Sequence, residues 1–396
     1  MSRTSLRVHL PDPPGTTPDW RGRLQELERW EWREGDATDP GAGLAAFLEA
    51  HGLGGEPAAQ RGDTAVALLA GADGCARVAG LPRGAASPVP AVPDLVAVAY
   101  RRGADRGPCP GPRDALRSGA LPAVGSWART WTDAEHAAAI EVVREAISRG
   151  ELYQANVVGH RRAPHTGDGR ELAAAVAALP GAVYGGAMAG DGWAVGCASP
   201  EQLVRLEGDR LTTVPIKGTL PVTPGSHARL RASEKDRAEH VMIVDLERND
   251  LSRVAQTGSV EVEQLYRLAD WSGLWQAAST VSARLVDGAT TLDVLRALLP
   301  GGSVTGAPKR AACGLLAALE PVGRGPSMGA MGLVRPGGLD LGLTIRTVAV
   351  DDDQLHLWAG GGITWGSEAG AEVEEAHAKA SPVVRALSRV PSSHRS

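Results

Sequence analysis

The sequence predicts an α+β fold, or a sandwich of sheets flanked by helices. Three observations carry this expectation. Strand-like apolar runs and helically spaced segments are mixed without strict alternation. No internal repeat is present. The 396 residues are enough for a large core, which by length alone would divide into two or three domains.

In chain order, Thr64 to Ala70 and Leu95 to Tyr100 are apolar runs bounded by turn residues and read as strands. Residues 102–125 are crowded with Gly, Pro and Arg and read as a linker. Asp133 to Ser148 has helical spacing, with Thr132 as its N-cap. Strand signals follow at Tyr153 to Val158, Trp193 to Cys197 and Leu203 to Leu206. Lys235 to Val254 is a long amphipathic helix, and Thr291 to Leu299, Pro308 to Leu319 and Ser367 to Leu387 are further helices. Leu343 to Val350 and Gln354 to Trp358 read as a hairpin, and residues 390–396 as a frayed tail.

Bulk properties exclude several classes. Net charge is -5, with both signs interspersed and no basic stripe, which argues against nucleic acid and an anionic membrane surface as partners. No apolar run has the length of a signal peptide or a membrane span, so a cytoplasmic protein is expected. Cys75, Cys109, Cys197 and Cys313 form neither a CxxC pair nor a disulfide framework.

Four constellations could carry chemistry. Asp236 and Glu239 lie three apart on one predicted helix; Glu372 and Glu375 lie three apart on another, with Lys379 four further on. Each set shares a helix face, and two such faces brought together would suit a hard cation such as Mg²⁺; the same spacing also occurs on solvated helices. The run Pro300 to Lys309 enters a helix and offers backbone N–H groups to an anion, and Gly360-Gly361-Gly362 permits close backbone approach to a ligand; either could equally be a tight turn. Lys217, after a strand in Pro215 to Thr219, has the setting of a partly desolvated nucleophile or of a surface lysine. Glu201, in Ser199-Pro200-Glu201, could be a general acid or a turn residue.

Their order along the chain is more informative than any one of them. Gly150 to Asn156, Ser199 to Glu201, Pro215 to Thr219, Asp236 to Asp250, Gly301 to Lys309 and Gly360 to Glu375 resemble, in this order, the chorismate-utilising family over roughly residues 127–388. Residues 1–125 resemble the variable N-terminal part of the same fold. The resemblance implies the large two-sheet sandwich of the anthranilate synthase component I-like enzymes. Water-adding members usually carry lysine where this chain has Gln154, so glutamine there resembles the aminating members. Lys217, where anthranilate synthases carry alanine, resembles the aminodeoxychorismate (para-aminobenzoate) synthases of component I type.

The resemblance further implies the following roles. Lys217 would attack chorismate at C2, Glu201 would protonate the leaving C4 hydroxyl, and ammonia would then add at C4 and release the lysine. Glu239 and Glu375 would hold Mg²⁺ against the ring carboxylate, with Asp236 and Glu372 in support. Gln154, Thr219, Thr305, Arg346, Lys379 and the backbone of Gly360, Gly361 and Gly362 would bind substrate. Gln276 stands where members usually have histidine, which fits a product that keeps its enolpyruvyl group; Leu333 stands where they usually have tyrosine. No Gly-x-Cys-x-Gly glutaminase elbow surrounds any cysteine, so ammonia is expected from solution or from a separate glutamine amidotransferase subunit. Amination at C2, giving 2-amino-2-deoxyisochorismate or anthranilate, is the alternative within the family. A catalytically impaired chorismate-binding regulatory subunit is the alternative outside enzymology.

Overall fold

Two mainly antiparallel sheets pack face to face, and the chain crosses between them several times. The computed structural model describes residues 7–8, 24–102, 122–271 and 274–388; most of the expected linker, Cys109 and the expected tail lie outside the described residues. The first sheet runs Arg7–Val8, Tyr184–Gly190, Trp193–Ser199, Thr347–Val350, Gln354–Ile363, Gln154–Pro164 and Gly306–Ala307, with Ala128–Arg129 also pairing to Gln154–Pro164. The second runs Ile216–Pro221, Leu274–Arg284, Arg210–Val214, Gln202–Glu207, Gly338–Leu343, Ala330–Arg335, Thr64–Ala70, Leu95–Arg102 and Leu24–Trp32, with Glu261–Trp271 forming a ribbon beside Leu274–Arg284.

The first sheet is buried on both faces, so its strands read as near-continuous apolar runs rather than alternating ones. Val195, Cys197, Ala349 and Trp358 point into the sandwich. Their neighbours Ala194, Ala198, Val348, Val350, Leu355 and Leu357 point outward, beneath the Gly169–Ala177 and Ala369–Leu387 helices. Farther along the same face, Asp133–Ser148 and Lys309–Leu319 cover Ala155, Val157 and Ile363. Trp358 is 1% exposed, and its indole N–H donates to the Gly323 carbonyl at 3.1 Å. Truncating such a side chain to alanine costs about 3–5 kcal/mol.

Most expected elements appear, with shifted ends. Asp133–Ser148 is a helix closed by a capping box between Thr132 and Glu135. The expected strand at Tyr153 to Val158 continues to Pro164 because it pairs along its length with Gln354–Ile363. The stretch expected as one strand from Leu343 to Val350 breaks at 344–346, where the chain passes from the second sheet to the first. The strands Leu24–Trp32, Thr64–Ala70 and Leu95–Arg102 belong to the second sheet: Val66 pairs with Val334.

Candidate active site

The site forms where the chain changes sheets. Trp193–Ser199 ends in the first sheet and Gln202–Glu207 begins in the second, so Glu201 lies on the crossing between them. Its backbone N–H donates to Ser199 Oγ at 3.2 Å, and its carbonyl accepts from the Leu343 N–H at 3.1 Å. The second crossing holds Arg346 beside the first, through an Ala198 N–H to Arg346 carbonyl bond of 3.2 Å. Arg346 has φ +51°, a conformation that costs a non-glycine residue on the order of 1–3 kcal/mol and collects at functional sites.

Glu201 is 8% exposed, and burial raises its pKa, so the protonated acid is favoured. The positive charges of Lys217 and Lys379, the Ser303 hydroxyl and the Ile216 N–H oppose that shift without cancelling it. Burial lowers the pKa of Arg346, and the Glu201 charge opposes this.

Lys217 belongs to Ile216–Pro221, whose register against Leu274–Arg284 shifts between Lys217 and Thr219. The irregularity is centred on Gly218, at φ +74°, where a Cβ would lie 2.9 Å from Leu230 Cδ1. Such a bulge re-aims the neighbouring side chain. The Lys217 amine reaches the inner face of Gly362: a Cβ built there would lie 3.4 Å from Lys217 Nζ and 2.7 Å from Gln154 Nε2. Gln154 is 3% exposed, and its Nε2 has no hydrogen-bond partner among the described residues. Thr219 pairs across the strands with Gln276, which is buried with its Oε1 unpartnered among the described residues. Leu333 is buried between the sheets.

The glycine strand has a second tenant on its other face. A Cβ at Gly361 would lie 3.1 Å from Glu372 Oε2 and 3.6 Å from Lys379 Nζ, and Lys379 donates to the Gly360 carbonyl at 3.0 Å. The Thr305 hydroxyl donates to the Gly301 carbonyl at 2.8 Å, and the residue lines a cavity with Asp73, Cys313 and Arg324.

The four expected metal carboxylates come from two helices, Glu234–Ser252 and Ala369–Leu387. One turn gathers one from each: Thr364 Oγ1 donates to Glu239 Oε1 at 3.4 Å, Ser367 Oγ to Glu372 Oε1 at 2.7 Å, and the Thr364 N–H to Ser367 Oγ at 3.1 Å. Asp236 lies beside Gly218, and Glu375 pairs with Lys379 at 2.7 Å. Among the described residues no three His, Cys, Asp or Glu side chains converge as ligands of one ion. Mg²⁺ does not require that, because it takes one or two carboxylates with waters and an anionic substrate. Hard oxygen donors from two helices, gathered at one turn beside the glycine strand, fit this donor set.

Three contributors were not singled out from sequence. Ser303 reaches Glu201 from the run that leads into the Lys309–Leu319 helix. His240 is fully buried, bonds Ser279 Oγ through Nε2 at 2.6 Å, and has its pKa lowered to about 4 by burial and by the Lys217 charge. Glu247 is buried beside Asp250, which pairs with Lys309 at 2.8 Å; burial and the Asp250 charge raise the Glu247 pKa to about 8. His240 and Glu247 fall within the Asp236 to Asp250 motif, but nothing in one sequence tells that they are buried.

The family model described as chorismate binding enzyme matches residues 102–385. Anthranilate synthase component 1 of Streptomyces coelicolor is 38% identical over 271 residues, covering 66% of this chain and 53% of that protein. Aminodeoxychorismate synthase component 1 of Salmonella typhimurium is 36% identical over 269 residues, covering 66% of this chain and 59% of that protein. The matches thus span little more than half the length of these relatives. The crystal structure of anthranilate synthase component I from Streptococcus pneumoniae superposes with a TM-score of 0.76 at 22% identity, covering 96% of this chain and 94% of that one, a likeness of fold. The chain belongs to the chorismate binding enzyme family.

Proposed function

We propose that this member of the chorismate binding enzymes aminates chorismate at C4 with ammonia, giving 4-amino-4-deoxychorismate. The observation that carries the reading is the meeting of Lys217 Nζ and the Gln154 amide over Gly362, within the electrostatic reach of the buried acid Glu201. Relatives named aminodeoxychorismate synthase component 1 support it.

The lysine amine attacks C2; both ring double bonds shift by one bond and the C4 hydroxyl leaves. Glu201, whose protonated form burial favours, gives that hydroxyl its proton, so water departs rather than hydroxide. Ammonia then adds at C4, both double bonds return to their original places, and the Lys217 nitrogen leaves C2 as a free amine. A lysine occupying C2 directs nitrogen to C4 and away from the carbon next to the carboxylate, so nucleophilic catalysis becomes regiochemical control. Gln154 is not a base and leaves water unactivated, whereas ammonia needs no base. Arg346 and Lys379 supply positive charge for the substrate carboxylates. Mg²⁺, held by Glu239 and Glu375 with Asp236 and Glu372 in support, would neutralise the ring carboxylate. Ammonia comes from solution or from a separate glutamine amidotransferase subunit.

The rival reading, an anthranilate synthase component 1, is favoured by the 38% identity to the Streptomyces protein. Lys217 and Gln276 weigh against it. Incubating the pure protein with chorismate, Mg²⁺ and ammonium at alkaline pH, with products identified by mass and NMR, separates the two. The C4-amino product without pyruvate is expected; anthranilate with stoichiometric pyruvate would overturn the proposal.

A further inference from the structure

Outside the site described, a cleft of about 440 Å³ opens between the Ser226–Ala232 and Glu234–Ser252 helices and the Glu261–Trp271 strand. That volume is in the range of small-molecule sites. Arg231, Arg237 and Arg267 line it, one from each element. None of the three forms an ion pair among the described residues; Arg267 donates only to the Gln264 side chain, at 3.4 Å. His240 lines the same cleft, fully buried, with its Nδ1 unpartnered among the described residues. Val241 and Leu265, each 56% exposed, supply an apolar rim, and the Tyr266 ring stands edge-on to His240 at 5.2 Å.

We propose that this cleft is a second ligand site that takes a small aromatic carboxylate. Three guanidinium groups that form no ion pair among the described residues repel one another, and an anion relieves that repulsion. A guanidinium presents paired donors in a plane, which matches a carboxylate better than it matches a point charge. Val241, Leu265 and the Tyr266 ring give an attached aromatic ring an apolar bed that a bare inorganic anion would not use. The cleft's lining does not include Lys217, Glu201 or Gln154; His240 lines it and also feels the Lys217 charge. A ligand there touches the helix that carries Asp236 and Glu239, so occupancy is transmitted to the reaction through that helix. The inference holds whichever aminated product the enzyme makes.

Fluorine NMR of 4-fluorobenzoate titrated into the full chain tests it. Expected is a saturable shift that persists when chorismate is added without ammonia. The Arg231→Ala/Arg267→Ala variant should weaken it about tenfold or more while keeping the wild-type melting temperature and turnover. Inorganic phosphate at equal concentration should displace the probe poorly. Should the double variant fail to fold, Leu265→Glu at the exposed rim gives the same readout. Displacement by chorismate would put the probe in the substrate site and overturn the proposal. So would an affinity unchanged in both variants, or displacement by phosphate as effective as by unlabelled benzoate.

Discussion

The Nζ of Lys217 and the side-chain amide of Gln154 meet over the inner face of Gly362, from strands that belong to different sheets. The proposed nucleophile and the glutamine proposed to leave water unactivated thus share one small space. Only a residue without a side chain at position 362 leaves that space open.

The glycines of this strand should separate stability from chemistry. A Cβ at Gly360 would lie 1.9 Å from the Val157 carbonyl oxygen, and backbone cannot move aside cheaply. Gly360→Ala should lower stability by about 1–3 kcal/mol or more. At Gly362 the obstacle is the far end of the Gln154 side chain, which can swing away. Gly362→Ala should therefore melt within a few degrees of wild type yet lose about tenfold to a hundredfold in turnover through displacement of Gln154 and Lys217. Thermal melts beside turnover numbers check the contrast; full activity in Gly362→Ala would show that the meeting point is not where the reaction occurs.

The buried acid Glu247 makes a prediction about pH. Its folded pKa of about 8 lies above the ordinary value of 4.5, so between those limits the folded chain holds a proton that unfolding releases. Stability must then fall as pH rises through that window, and the contribution is constant below it. Glu247→Gln removes the titrating group while keeping a similar shape. Its melting temperature should gain on wild type as pH rises from 5 to 8, by roughly 2–4 °C for each kcal/mol relieved. Parallel melting curves across that range would mean that Glu247 does not hold the proton.

The carboxylates of the Glu234–Ser252 and Ala369–Leu387 helices make a prediction about metal. Turnover should depend on Mg²⁺ and fall when the ion is chelated. Glu239→Gln and Glu375→Gln should each lose most activity and need more Mg²⁺ for what remains. Activity of either variant close to wild type at saturating Mg²⁺ would remove that residue from the ligand set.

How much of this was legible in the sequence follows from the range of the interactions involved. Local signals were clear: Thr132 announced a helix start, and the i, i+3 spacing placed Asp236 with Glu239 on one helix. The motif order was clear as well, because Glu201, Lys217 and the glycine strand keep fixed places along the chain. Pairings over long separations left no local trace: Val66 with Val334 in the second sheet, and Ala307 with Gln154 at the edge of the first. For that reason the role of Ser303 and the burial of Glu247 were invisible. Binding residues defined by which way a side chain points are the hardest to read from a single sequence.

A covalent bond between Lys217 and the substrate is tested most directly by intact-protein mass spectrometry. The protein is mixed with chorismate and Mg²⁺ while ammonia is withheld. A mass increase equal to chorismate minus water should build up, map to the peptide holding Pro215 to Thr219, disappear on adding ammonium, and be absent from Lys217→Ala. No adduct on the wild-type chain, together with normal C4-amino product from Lys217→Ala, would contradict the covalent role of this lysine.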